Sequence, residues 1–210
     1  MKEISLIVYK CGIIFDEECI ILRVIAGSAK GHKLSSQKGL KTRPTLERVR
    51  EAVFNILGSN VLDAVFLDLF AGTGAIGIEA LSRGAKFCYF NEYDRKTKEI
   101  IQQNLLACHL EDKCQIYNMD AELLIKLLDK QLYKCIDIIY LDPPYEMEKY
   151  DTILMLLENA SLLKDGSLVI AETNNKRILA ETFGRLILYK KNVYGDTIIW
   201  FYKYNCNLED

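Results

Sequence analysis

The sequence predicts an α/β chain built on a mostly parallel, Rossmann-like sheet of seven strands that ends in an antiparallel hairpin, behind a small β-rich and helical N-terminal extension. Three observations carry that expectation. Short apolar runs rich in β-branched residues alternate with helical patterns, as parallel strands and their crossover helices do. One run, at 65–70, passes directly into Ala71-Gly72-Thr73-Gly74-Ala75-Ile76-Gly77 and then a helical pattern. The last two runs are joined by a turn so short that the strands must be antiparallel.

Taken in order, strands are expected at 21–26, 65–70, 87–90, 114–118, 136–141, 168–171, 186–189 and 197–202. Helical patterns lie at 45–57, where Leu46, Val49, Val53 and Leu57 share a face, and at 75–83, 95–107, 121–128 and 150–162. The closing turn is Tyr194-Gly195-Asp196. Residues 1–44 form an N-terminal extension with a basic element, 45–204 the main α/β domain and 205–210 a tail.

Composition narrows the function. With 50% apolar and 27% charged residues in 210, the balance is globular. The apolar stretch at 4–15 is broken by Lys10 and followed by Asp16, Glu17 and Glu18. It reads as neither a membrane span nor a secretion signal, so a cytoplasmic location is expected. Seven cysteines without a C-x-x-C pair read as reduced thiols, and with His32 and His109 the two histidines, no metal site is expected. Nothing demands a second subunit. The net charge of −2 hides an asymmetry: segment 23–50 holds eight basic residues against Glu47 alone, a net of +7. A solvated basic loop has that composition, and so does a face made for a polyanion, which would carry Arg23, Lys30, Lys33, Arg43, Arg48 and Arg50.

The Gly-rich turn is G-x-G-x-x-G between a strand and a helix, the context in which it holds a nucleotide. Gly72 and Gly74 let backbone amides approach a ligand, and Gly77 lets helix and strand pack. Glu92, eighteen residues after Gly74, ends the next strand where a ribose would present two hydroxyls. These residues suit a dinucleotide enzyme equally well. Asp68 tilts the balance, because a buried carboxylate suits the ammonium group of S-adenosylmethionine and repels a pyrophosphate.

After the run at 136–141 the chain reads Asp142-Pro143-Pro144-Tyr145. Two prolines fix their own φ and restrict the residue before each, so the Asp142 side chain and the Pro143 carbonyl are held as rigid acceptors at the carboxyl edge of the sheet. An exocyclic amine of a nucleobase is a poor nucleophile, since its lone pair is delocalised into the ring; two acceptors on its N–H bonds localise that pair. An Asp of ordinary pKa, about 3.9, is ionised at neutral pH and needs no tuning for this task. Positioning on the S–CH₃ axis would supply most of the acceleration. Tyr145 offers a ring on which the target base stacks, worth about 1–3 kcal/mol, roughly the cost of extruding a weakly paired base.

Together these motifs resemble one family, the bacterial 16S ribosomal RNA guanine-N2 methyltransferases. The resemblance runs from Arg23 to Tyr202. It rests on Arg23-Val24-Ile25-Ala26-Gly27 with Lys30-Gly31-His32-Lys33-Leu34, on Arg43-Pro44-Thr45 with Arg48-Val49-Arg50-Glu51 and Phe54-Asn55, on Asp68-Leu69-Phe70-Ala71-Gly72-Thr73-Gly74, on Glu92 and on Asp142-Pro143-Pro144-Tyr145. It implies a Rossmann-like methyltransferase fold, S-adenosylmethionine as methyl donor, and guanine N2 in small-subunit ribosomal RNA, free or within a particle, as acceptor. It also adds Phe70 to the cofactor set and places 43–50 on the RNA-facing surface. Such enzymes bind the cofactor adenine near the position of Asp120, which equally fits a helix N-cap. Glu172 reads as a site wall or an edge carboxylate. The first 22 residues stand outside the family pattern. Rival readings keep the fold for a DNA adenine-N6 or protein glutamine methyltransferase, or take the glycines for a nicotinamide-dependent oxidoreductase or an inactive RNA-binding module.

Overall fold

A computed structural model describes residues 22–36, 44–144 and 149–207 and resolves the alternation into one sheet with helices on both faces. Helix α1 (Pro44–Leu57) precedes β1 (Val65–Asp68); α2 (Ala75–Ser82), β2 (Phe87–Asn91), α3 (Arg95–Ala107), β3 (Cys114–Tyr117), α4 (Ala121–Gln131), β4 (Ile136–Leu141), α5 (Tyr150–Asn159) and β5 (Leu163–Asn174) follow. The chain closes with β6 (Thr182–Phe183), β7 (Leu186–Tyr194) and β8 (Thr197–Tyr204).

The strand order is β3-β2-β1-β4-β5-β8-β7-β6. β1 to β5 pair in parallel, and β8 lies antiparallel between β5 and β7. The chain builds outward from β1 through β2 and β3, then returns to the other side of β1 as β4. That reversal opens a crevice at the carboxyl ends of β1 and β4, where ligands of such sheets bind.

Strand periodicity explains the two cores. Phe66, Ile138, Tyr140 and Ile170 point to one face, covered by Val49, Val53 and Phe54 of α1, Ile78 of α2 and Ile101 of α3. Leu67, Ile139, Leu141, Val169 and Ala171 point to the other, covered by Leu124, Ile125 and Leu128 of α4 and Ile153, Leu154 and Leu157 of α5. Gly77 does what its place in the turn suggests: a Cβ there would stand 2.2 Å from the Phe90 ring.

Three expectations need correction. The sheet has eight strands, because the two-residue β6 adds an edge too short to register as a periodic run. The strand expected at 21–26 is, in its described part, only a bridge between Arg23 and Lys33. The amides of Ile25 and Ala26 are taken by a side chain of α2 instead, donating to the Glu79 carboxylate (2.8 and 3.0 Å), and just beyond that span Ala29 donates to Ser82 Oγ (2.9 Å). Finally, the described part of the N-terminal extension is not separate, since Val24, Ala29 and Leu34 belong to the same apolar core as Phe54 and Leu81. Gly27 permits this approach; with φ +83° it lies so close to Ser82 that a Cβ would fall 1.8 Å from that carbonyl oxygen. No helix among the described residues is long and apolar enough to cross a membrane.

Candidate active site

Two adjoining cavities open at the crevice, of about 560 and 290 Å³, sharing Phe70, Gly72, Asp142 and Glu172 on their walls. Together they have the size of a site for a nucleoside-sized ligand plus a second group. The larger is completed by Asn91, Glu92, Asp120 and the two prolines, Pro143 and Pro144. The smaller includes Asp68, Thr73, Tyr140 and Arg50, with Leu22 and Ser36 from the N-terminal segment.

The glycine turn gains its shape from carboxylates on both sides. Gly72 (φ +54°) has no atom within 4 Å of where its Cβ would stand, which keeps the cavity open beside its backbone. Its N–H donates to Glu92 Oε2 at 2.9 Å, and the Asp94 N–H donates to Glu92 Oε1 at 2.9 Å. Glu92 is therefore fixed in orientation, and burial raises its pKa. Gly74 (φ +80°) is the N-cap of α2, a conformation that favours glycine. The Gly77 N–H donates to Asp68 at 3.0 Å. Burial nevertheless pushes the Asp68 carboxyl up to about 7, with Glu92 adding to the rise.

Asp120 caps α4, its Oδ1 accepting from the N–H groups of Glu122 (2.9 Å) and Leu123 (3.2 Å), while the residue also lines the larger cavity. Asn91 escaped the sequence reading. Buried at the end of β2, it donates to the carbonyls of Leu69 (3.2 Å) and Met119 (3.1 Å), tying three loops at the carboxyl edge. Asn104 of α3 also went unread; it donates to the carbonyls of Thr73 (2.9 Å) and Ser35 (3.1 Å), joining the glycine turn to the N-terminal segment. An isolated Asn gives no periodic or motif signal, so neither could be found from spacing.

Asp142 opens onto both cavities. The protein around it, and then the carboxylates of Glu172 and Asp68, push its carboxyl well above the usual carboxylate range. The expectation that Asp142 needs no tuning is thus corrected: three acids, Asp68, Asp142 and Glu172, share one small space. Tyr140, buried beneath them, donates its hydroxyl to Glu172 Oε2. Tyr145 lies outside the described residues.

Of the proposed polyanion-facing residues, Arg23, Lys30, Lys33 and Arg48 are exposed. Arg23 and Arg48 adjoin Leu22 and Val49 of the smaller cavity's wall in sequence, whereas Lys30 follows Ala29, which is docked on Ser82 at the end of α2 remote from the glycine turn. Arg43 lies outside the described residues. Arg50 departs from the expectation. It is 4% exposed, donates to the Arg23 carbonyl at 2.6 Å and stands 3.8 Å from Glu79, so it is an internal cation and not a surface contact for phosphate. Helical periodicity explains the split: on α1, Arg50 turns inward one residue after Val49, whereas Arg48 turns out.

Comparison with known proteins agrees with this architecture. The YlbH protein of Bacillus subtilis is 38% identical over 182 residues, covering 87% of this chain and 98% of that one. The ribosomal RNA small subunit methyltransferase D of Escherichia coli is 31% identical over 182 residues, covering 87% and 89%. A solved structure of a conserved hypothetical protein from Streptococcus pyogenes superposes with a TM-score of 0.67 at 30% identity, covering 76% of this chain and 98% of that one. The fold is the Rossmann-like methyltransferase fold. A family model described as conserved hypothetical protein 95 matches residues 22–203, and the chain belongs to that family, the one of the ribosomal RNA small subunit methyltransferases D.

Proposed function

We propose that this protein is an S-adenosylmethionine-dependent methyltransferase that modifies the exocyclic N2 amine of a guanine in small-subunit ribosomal RNA. One observation carries the reading: at the switch point the glycine turn and Glu92 meet Asp142 in a cavity whose charged walls are acidic but for Arg50. That balance fits a donor with a sulfonium and an ammonium group and disfavours the pyrophosphate of a nicotinamide cofactor. The names of the relatives support the RNA substrate class.

The residues present fit the cofactor. Glu92 sits where ribose hydroxyls would be bound, Asp120 and Phe70 flank the base end, and Asp68 faces the methionine end beside Gly72 and Gly74. When bound, S-adenosylmethionine supplies an electrophilic methyl on its sulfonium. Asp142 and the Pro143 carbonyl accept the N–H bonds of the incoming amine, orient its lone pair and hold it in line. The cationic nitrogen formed by transfer sheds its proton readily, and Asp142, with its raised pKa, is suited to take it. Arg23, Lys30, Lys33, Arg48 and, by its place in the sequence, Arg43 would contact phosphates of the RNA; Tyr145 would stack on the base.

The test pairs calorimetry with mapping. S-adenosylhomocysteine should bind and NAD should not, and methyl label should appear on guanine N2 of small-subunit rRNA. Asp142→Ala should lose at least about 100-fold in turnover while keeping cofactor affinity. Full activity in that variant would remove Asp142 from the chemistry.

A further inference from the structure

We infer that Glu172 reads the Watson–Crick edge of the target base, accepting the N1–H of guanine, and so makes the site select guanine over bases whose N1 is an acceptor. The inference rests on the guanine-N2 reading above and assigns it a specificity residue.

Register places the two acids side by side. Leu141, the last residue of β4, pairs with Ala171 of β5, and the residues that follow them in the chain are Asp142, just past the end of β4, and Glu172 of β5. Neighbouring strands lie about 4.8 Å apart, so the carboxylates stand at adjacent positions of one edge. Both line both cavities. A guanine whose N2 amine is held by Asp142 carries N1–H as the next group along that edge, a donor that needs an acceptor beside Asp142. Among the described residues no other acid is better placed: Asp68 lies two residues earlier along the strands, where it accepts from Gly77, Glu92 is held by Gly72 and Asp94 across the cavity, and Asp120 caps α4.

Glu172 is also prepared for the task. The Tyr140 hydroxyl donates to Oε2, and burial keeps that phenol protonated as a donor by raising its pKa. The Tyr150 hydroxyl donates to the Glu172 main-chain carbonyl at 2.7 Å, which fixes the backbone. Oε1 accepts from no described residue. A buried tyrosine that locks one carboxylate oxygen while leaving its twin on a cavity wall is a positioned acceptor. An adenine in the same pose would set its N1 lone pair against that oxygen and be repelled.

The test uses full-length protein and RNA fragments carrying either guanosine or 2-aminopurine riboside at the nucleotide that the wild type methylates. 2-Aminopurine keeps the 2-amino group but has an acceptor at N1. The wild type should prefer guanine by about 10- to 100-fold in kcat/KM, the worth of a hydrogen bond to a charged group. In Glu172→Gln the Tyr140 hydroxyl would hold the amide oxygen and turn the NH₂ toward the base, so the preference should vanish or invert. Affinity for S-adenosylhomocysteine, measured by calorimetry, should stay within about threefold of wild type, and Tyr140→Phe should relax the preference partially. Equal losses on both bases would overturn the assignment, as would a large loss of S-adenosylhomocysteine affinity, which would place Glu172 on the cofactor. A wild type that labels no guanine would instead overturn the functional reading beneath it.

Discussion

Four acids in one crevice set the behaviour of single residues. Asp68, Glu92, Asp142 and Glu172 all have raised pKa values. Burial is the first cause for Asp68, Glu92 and Glu172, while Asp142, exposed where the two cavities open, is raised by the protein around its carboxyl and by its acidic neighbours Glu172 and Asp68. A carboxyl whose pKa is raised on folding contributes stability that is fully present below its unfolded value and is lost as pH rises through its folded value. For Asp68 that window runs from the ordinary carboxylate range to about 7. Ligand-free protein should therefore unfold at a lower temperature at pH 8 than at pH 5.5, and Asp68→Asn should flatten the slope in a calorimetric scan. Catalysis runs the other way. In the proposed mechanism Asp142 must be ionised to accept the amine protons, so kcat/KM should rise with pH through a value above the usual carboxylate range. Because the Glu172 charge contributes to that rise, the Glu172→Gln profile should move to lower pH.

At the scale of elements, the decisive contact is between the N-terminal segment and α2. Glu79 is fully buried, accepts from Ile25 and Ala26 and from Arg83 Nε at 2.7 Å, and faces the buried Arg50. Removing it leaves Arg50 without its nearest counter-charge, which costs about 3–5 kcal/mol; denaturant unfolding of Glu79→Ala should read that loss. Gly27→Ala acts on the same joint by sterics, since its Cβ would collide with main chain that cannot yield. It should release residues 22–36, seen as faster proteolysis there, and weaken RNA binding more than cofactor binding. Unchanged proteolysis would mean that the segment docks by other contacts. On the opposite side of α2, Gly77→Ala would press into Phe90 and cost about 1–3 kcal/mol of overpacking strain.

For the whole molecule, charge separation is the organising feature. Its crevice is acidic, while the exposed side chains of Arg23, Lys30, Lys33 and Arg48 are carried by the N-terminal segment and α1, which also supply Leu22 and Val49 to the smaller cavity's wall. On the proposed function, these basic side chains would attract the RNA while the acidic crevice would attract the cationic cofactor. Replacing Lys30, Lys33 and Arg48 with Ala should lower the slope of log K against log salt by up to about 0.7 per lost phosphate contact on single-stranded RNA. S-adenosylhomocysteine binding should not change. An unaltered slope would take these residues off the RNA surface.

Sequence alone determined whatever is local or repeats with a fixed period. The parallel strands and their helices follow from apolar spacing, the glycine turn and Glu92 from their place after β1 and β2, and the Asp142 motif from two prolines that restrict the backbone whatever surrounds them. Tertiary structure alone decided what depends on proximity between distant segments. Arg50 and Arg48 look alike in a basic run, and only the packing of α1 sends one to Glu79 and the other to solvent. Glu172 is an ordinary strand-end acid until β4 and β5 align and set it beside Asp142 above Tyr140. Local chemistry is written in adjacent residues, whereas burial and like-charge proximity are properties of the sum of long-range contacts, and it is those that turn isolated acids into a site.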